Sequence, residues 1–388
     1  MQTPFYLYDT SLLDTTLDAI LNEVTDHPEY HVHYAVKANA NPAILSRIAK
    51  RGLGADCVSG GEIRAALQAD FRPQDIVFAG VGKSDWEIEL GLEARIGLFN
   101  VESIPELEVI NQIAGRMKRR ADICFRINPD VGAHTHANIT TGLAENKFGI
   151  AMSDMETVIS AARQMDNVHF VGLHFHIGSQ ILEMDDFVAL SRRINQLQQQ
   201  LTDEGINDVR VINVGGGLGI DYEDPDAHPV PDFHAYFQTY ADHLQLRPGQ
   251  ELHFELGRSV VAQMGSLIAR VLYVKEGHVK RFVIVDAGMT DLIRPALYGA
   301  RHLIQPFPAR PEGSVSSSLT YDVVGPICES SDVFAHDVQL PPMRRGDLIT
   351  IRSAGAYGEV MASQYNCRPL PQSFTTDELR EHPEYQED

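Results

Sequence analysis

The chain has 388 residues, 44% hydrophobic and 22% charged, a balance that excludes a disordered or fibrous protein. At about 150 residues per domain, with a single barrel able to absorb about 250, two domains are expected. The 53 acidic and 32 basic residues leave a net charge of −21, which speaks against a nucleic-acid partner while allowing a local basic pocket for an anionic ligand.

In chain order, residues 5–9 read as a strand and about 10–25 as a helix. Short β-rich runs then recur at 32–36, 53–58, 76–79, 96–99, 122–127, 170–174, 209–214 and 251–255. Seven helix-like stretches lie between them, including 104–114 and 184–201. In the second of these, Phe187, Leu190, Ile194, Leu197 and Leu201 recur at steps of three and four. Eight strands alternating with helices over about 230 residues predict an α/β fold of the (β/α)8 TIM type. Strand spacings of 48, 39 and 42 residues after the fifth strand place the long βα loops in that half. The competing open, doubly wound sheet lacks its G-x-G-x-x-G fingerprint after the first strand.

After Arg258 the rhythm changes, with strand-like runs at 267–274, 279–286, 319–324 and 347–352 and little helix between them. This predicts a C-terminal β-rich domain, sandwich- or barrel-like. The strand at 5–9 could pair there, giving a barrel over 26–255 and a second domain from 1–25 plus 256–388. The acidic stretch from Thr375 reads as a solvated end. With no run of about 18 apolar residues, no membrane span is expected. The start, Met1-Gln2-Thr3-Pro4, lacks a signal-peptide pattern. Cys57, Cys124, Cys328 and Cys367 show no C-x-x-C spacing, which fits a reducing cytoplasm and reads each as a small buried hydrophobe.

In such barrels the chemistry gathers where the strands end. The first strand runs into Ala35-Val36-Lys37-Ala38-Asn39, where apolar enclosure would lower the lysine pKa toward a nucleophilic amine; a salt-bridged lysine is the alternative. The second ends in Asp56-Cys57-Val58-Ser59-Gly60-Gly61-Glu62, with Ser59 placed to cap the next helix. The sixth ends in His174-Phe175-His176-Ile177-Gly178-Ser179, an aromatic face for a flat cofactor rather than a metal pair. His31/His33 and His134/His136 read as structural or loop residues, and no metal is expected. The seventh ends in Gly215-Gly216-Gly217-Leu218-Gly219, exposing backbone N–H groups that could cradle a phosphate or merely form a tight turn. The eighth ends in Glu255-Leu256-Gly257-Arg258, and loops after strands seven and eight are the usual phosphate site of barrels. A lysine, an aromatic face, a phosphate cradle and a carboxylate together suit pyridoxal 5'-phosphate.

Several longer motifs carry a resemblance: Tyr34-Ala35-Val36-Lys37-Ala38-Asn39, Gly172-Leu173-His174-Phe175-His176-Ile177-Gly178-Ser179-Gln180, Gly325-Pro326-Ile327-Cys328-Glu329-Ser330-Ser331-Asp332, Asp291-Leu292-Ile293-Arg294-Pro295-Ala296-Leu297-Tyr298 and Ala354-Gly355-Ala356-Tyr357-Gly358. With them the chain, from Phe5 to about Pro371, resembles the fold-type III pyridoxal-phosphate decarboxylases of alanine racemase-like fold, and within these the diaminopimelate decarboxylases. The resemblance implies that Lys37 joins the cofactor covalently and His176 stacks on its ring. It further implies that Asp56, Ser179, Gly216, Gly217, Glu255, Gly257 and Arg258 hold the cofactor, with Glu255 at the pyridine nitrogen. Arg258, Arg294 and Tyr298 would grip substrate carboxylate and Glu329 the distal amino group. Cys328, the implied proton donor, and Tyr357, a cofactor and substrate contact, would come from the second subunit of a homodimer with shared sites.

The implied reaction is the decarboxylation of meso-2,6-diaminopimelate to L-lysine, the last step of lysine biosynthesis. One departure is Leu256, where many relatives carry proline; it restores a backbone N–H and leaves Glu255 and Arg258 in register. Decarboxylases for ornithine, arginine or carboxynorspermidine, a racemase, and a non-catalytic cofactor carrier are the competing readings. The loop 128–150, with Gly142, Asn146 and Gly149, suits either a mobile lid or a fixed cover.

Overall fold

The computed structural model describes residues 1–132, 147–308 and 318–381. His134, His136, Gly142 and Asn146 therefore lie outside the described residues, as does most of the expected lid. The elements in order are β1 (Phe5–Tyr8), α1 (Thr10–Val24), β2 (Tyr30–Ala35), α2 (Pro42–Lys50), β3 (Gly54–Cys57), α3 (Gly60–Gln68), β4 (Ile76–Phe78), α4 (Asp85–Ala94), β5 (Leu98–Val101), α5 (Ile104–Met117), β6 (Ala121–Asn128) and β7 (Ile150–Ala151). Then come α6 (Met155–Arg163), β8 (Val168–His174), α7 (Met184–Asp203), β9 (Val211–Asn213), α8 (Phe233–His243), β10 (Glu251–Leu256) and the short α9 (Arg258–Val261). The remaining elements are β11 (Gly265–Glu276), β12 (Arg281–Val285), α10 (Arg294–Tyr298), β13 (Ile304–Phe307), β14 (Leu319–Val324), β15 (Val333–Leu340), β16 (Leu348–Ile351), β17 (Gln372–Thr375) and α11 (Thr376–Glu381).

By contacts the chain separates into two units. One holds Leu17–Gly219 and Asp232–Arg258; the other holds Met1–Thr16, Ile220–Pro231 and the described residues from Ser259 on. In the first, β2, β3, β4, β5, β6, β8, β9 and β10 pair in parallel, and the β10–β2 and β5–β6 pairings close the ring into the expected (β/α)8 barrel. Local chemistry starts the helices. Ser59 Oγ accepts from the Glu62 N–H (3.2 Å) while the Glu62 carboxylate accepts from the Val58 N–H (2.8 Å), the capping expected for Ser59. Asn41 caps α2, with Pro42 at its first position, where a missing N–H costs nothing. On α7, Phe187, Leu190, Ile194, Leu197 and Leu201 are buried, as the step pattern requires.

The second unit is a sheet ordered β13-β16-β11-β12-β14-β15. β1 joins it antiparallel to β11 and parallel to β17, so both ends of the chain enter one sheet. β13, β15 and β17 had no counterpart among the runs expected from sequence. Cys57 and Cys124 are buried, but Cys328 and Cys367 are exposed, which corrects the expectation of four buried thiols. Cys328 lies in a bend and Cys367 ends the 3-10 turn Tyr365–Cys367, where no strand face exists to enclose them. Among the described residues no helix is long and apolar enough to cross a membrane.

Candidate active site

Register dictates what the barrel interior holds, because residues paired across parallel strands point to the same face. Ala35 pairs with Asp56, Asn100 with Cys124, Arg126 with His174, and His174 with Asn213. Asn213 in turn pairs with His253, two residues before Glu255 on the same strand face. A ring of polar side chains thus occupies the interior at the C-terminal ends of the strands. All of Asp56, Asn100, Arg126, His174, Asn213 and Glu255 are buried.

Glu255 is the best-held member. One carboxylate oxygen accepts from Asn213 Nδ2 (2.7 Å) and Asn100 Nδ2 (3.1 Å), the other from His174 Nε2 (3.1 Å). Burial alone would raise its pKa, but His174, by charge and hydrogen bond, outweighs burial and holds the carboxyl well below the usual range. Asp56 is the opposite case. Both its oxygens are buried without a hydrogen-bond partner among the described residues, and burial followed by the Glu255 charge pushes its carboxyl up. Lys37, in the turn after β2, has Nζ 3.8 Å from Asp56 Oδ2. Its side chain is 40% exposed, so the expected apolar enclosure is absent and the salt-bridged alternative describes the observed pairing.

His176, just past β8, accepts at Nδ1 from the Gly216 N–H (3.3 Å), which leaves its proton on Nε2. Burial and then Arg126 keep its pKa well below the ordinary imidazole value, so it presents a neutral ring. The glycine run after β9 is built for close approach. A Cβ at Gly216 would stand 1.9 Å from the Glu255 carbonyl oxygen, and Gly215 and Gly217 have φ of +71° and +112°. Arg258 is buried and donates to Ser179 Oγ from Nη2 (3.0 Å) and Nε (3.3 Å), with Gly257 immediately before it. Lys37, Asp56, His176, Ser179, Gly216, Gly217, Glu255, Gly257 and Arg258 therefore share one end of one barrel.

The other five predicted residues lie in the β-rich unit. Arg294, at the start of α10, is buried with its guanidinium carbon 5.2 Å from the centre of the Tyr222 ring and its Nε 3.4 Å from His302 Nε2. Tyr298 closes the same helix and is half-buried. Cys328 and Glu329 are exposed; the Cys328 N–H donates to Asn366 Oδ1 (3.1 Å) and Ser331 Oγ donates to Glu329 (3.1 Å). Tyr357 is half-buried in the left-handed conformation, φ +56°.

Sequence reasoning missed Asn100, Asn213 and Arg126. Their only signal was polarity at the ends of barrel strands. Arg126 Nη1 donates to Glu102 (3.3 Å), while its Nη2 is buried with no hydrogen-bond partner among the described residues. The orphaned Asp56 oxygens and Arg126 Nη2, with the glycine cradle, fit a flat, phosphate-bearing cofactor with a polar ring edge. Glu255 would face a ring nitrogen, His176 a ring face, and Ser179, Gly216, Gly217, Gly257 and Arg258 a phosphate.

The model of the pyridoxal-dependent decarboxylase pyridoxal-binding domain matches residues 15–262. A diaminopimelate decarboxylase of Bacteroides thetaiotaomicron is 64% identical over 379 residues, 98% of this chain and 97% of that protein. One from Helicobacter pylori is 46% identical over 372 residues, 95% of this chain and 89% of that protein. The crystal structure of a Helicobacter pylori diaminopimelate decarboxylase complexed with L-lysine superposes with TM-score 0.90 at 41% identity, covering 99% of this chain and 98% of that one.

Proposed function

The chain belongs to the pyridoxal-dependent decarboxylases, and on that footing we propose that it is a carboxy-lyase converting meso-2,6-diaminopimelate to L-lysine and carbon dioxide with pyridoxal 5'-phosphate. One observation carries the chemistry: a buried Glu255 kept ionised by three hydrogen bonds at the barrel end that also holds Lys37 and the glycine cradle. When bound, pyridoxal phosphate supplies the electron sink that takes up the pair left as carbon dioxide departs. The substrate follows from relatives alike over nearly the whole chain.

The residues divide the work. Lys37, whose amine lies 3.8 Å from Asp56, would hold the cofactor. Glu255 would hold a proton at the pyridine nitrogen. His176, neutral, would meet the cofactor ring without adding a positive charge against it. Ser179, Gly216, Gly217, Gly257 and Arg258 take the phosphate. Arg258 and Arg294, with Tyr298, bind substrate carboxylate, Glu329 binds the distal ammonium, and Tyr357 touches both cofactor and substrate. The proton for Cα of the product would come from the Cys328 thiol or the Lys37 amine. Cys328 and Tyr357 are assigned to a second copy of the chain, so the working unit is a homodimer in which the β-rich domain, 1–25 plus 256–388, completes the partner's barrel site over 26–255. Its place is the cytoplasm, consistent with free thiols.

The test is carbon dioxide release from meso-diaminopimelate, ornithine and arginine, with and without added pyridoxal phosphate. Cofactor-dependent release from meso-diaminopimelate alone is expected. Equal or faster release from ornithine or arginine would overturn the substrate assignment.

A further inference from the structure

The opposite end of the same barrel holds a second polar cluster that the decarboxylase chemistry does not use. β2 and β10, the first and last barrel strands, are neighbours with His253 opposite His31 and Glu255 opposite His33. Alternation sends His31, His33, Glu251 and His253 to one face. One ligand atom from each of His31, Glu251 and His253 falls within 4.8 Å of the others. His31 and Glu251 stand at the strand starts, and His253, two residues before Glu255, joins them on the same face.

The hydrogen bonds fix the ring tautomers. His33 Nδ1 lies 3.0 Å from the Asp75 carbonyl oxygen, which can only accept, so Nδ1 bears the proton. His33 is enclosed, with a histidine rather than a carboxylate at its other nitrogen, and is neutral; its Nε2 therefore accepts. His253 Nδ1, 3.0 Å away, must donate to it. The other nitrogen of His253, Nε2, faces the Glu251 carboxylate at 3.5 Å. That separation exceeds the roughly 2.7–2.9 Å of a charge-assisted hydrogen bond and is close to the spacing of two ligand atoms on one tetrahedral ion. The His31 ring centre lies 4.9 Å from that of His253 and supplies a third donor.

We propose that His31, Glu251 and His253 bind a divalent transition metal, zinc by ligand chemistry, and that His33 positions His253 for it. Two imidazoles and a carboxylate are a recognised zinc set, with a fourth position left to water. Ligand atoms around a tetrahedral ion stand about 3.4 Å apart, given bonds of about 2.0–2.1 Å. His31 is exposed and free to close the difference by rotation. The chain from His253 through His33 to the Asp75 carbonyl is the outer support that metal-bound histidines characteristically have. The ion would pin β2 to β10 at the seam where the barrel closes. Spacing within the sequence could not suggest this, since His31 and His253 belong to strands at opposite ends of the barrel's sequence.

The test is calorimetric titration of tag-free, chelator-treated holoenzyme with zinc chloride, with thermal unfolding followed in parallel. Binding of a single equivalent and a raised unfolding midpoint are expected. H31A, at an exposed position, and E251Q should each weaken zinc binding by about tenfold or more, with cofactor absorbance unchanged. H228A, at a separate surface pair with Asp221, should bind as the parent does. Absence of zinc binding by the parent, or H31A and E251Q binding zinc as tightly as the parent, would overturn the site.

Discussion

Replacing Glu255 by glutamine exchanges an ionised carboxylate for an amide of the same shape, so charge is removed while packing is kept. The native carboxylate accepts at 2.7 and 3.1 Å from Asn213 and Asn100 and at 3.1 Å from His174. Glutamine can keep its oxygen on the two asparagines and turn its NH2 to His174. The imidazole must then move its proton to Nδ1, a buried atom with no hydrogen-bond partner among the described residues. That leaves an unsatisfied donor and should lower stability by roughly 1–3 kcal/mol. The catalytic loss is the larger effect, because a neutral amide cannot hold a proton at the pyridine nitrogen. A positioned acid–base group contributes about 10²–10⁴ in rate, so kcat should fall by that factor, roughly 3–5 kcal/mol in barrier. Initial rates of carbon dioxide release from meso-diaminopimelate at saturating cofactor measure this, with cofactor content and unfolding midpoint followed alongside. A cofactor-loaded E255Q enzyme with kcat within about threefold of the parent would refute the electrostatic role of Glu255.

Three further outcomes are expected. G216A forces a Cβ to within 1.9 Å of the Glu255 carbonyl oxygen, so the turn must shift at a cost of about 1–3 kcal/mol; a lower unfolding midpoint and weaker pyridoxal phosphate binding by equilibrium dialysis check it. R294K keeps the charge but loses the flat fork that stacks on Tyr222, and should raise KM for meso-diaminopimelate by about tenfold with a smaller change in kcat. Burial raises the Asp322 pKa, yet Lys280 (2.7 Å) and His336 (2.8 Å) outweigh it and hold the carboxyl at about 2. Because the folded pKa is depressed, this stabilisation is complete above the ordinary value of 3.8 and is lost as pH falls toward about 2. D322N should thus lose about 1 kcal/mol at neutral pH, allowing for its solvent-exposed partners, and match the parent near pH 2; urea unfolding across pH tests both arms.

Much of the barrel was legible because periodicity reports a local property. The steps of three and four along α7 and the apolar runs of the strands name buried faces without reference to any distant residue. Lys37, His176, the glycine run and Glu255 were equally legible, since each stands at a strand end, where barrels place their chemistry. In the β-rich unit the signal weakens. β15 carries His336 and Asp337 outward, with Asp337 in the left-handed conformation at a register shift, and β17 has only four residues. Such strands exist through their partners, not their own pattern. Exposure of Cys328 and Cys367 was likewise set by turns outside any periodic face.

The sequence by itself thus determined the succession of elements and the inventory of reactive groups. Only the tertiary structure decided which of them meet. Asn100 and Asn213 are ordinary polar residues until ring closure turns both onto Glu255, residues 155 and 42 positions away. Closure by β2 against β10 likewise brings His33 to His253 across 220 positions and opens the second cluster at the barrel's other end. A strand's pattern says which side chains face inward. The pairing register of strands far apart in the chain says which inward side chains are neighbours, and it is neighbours that set charge, tautomer and chemistry.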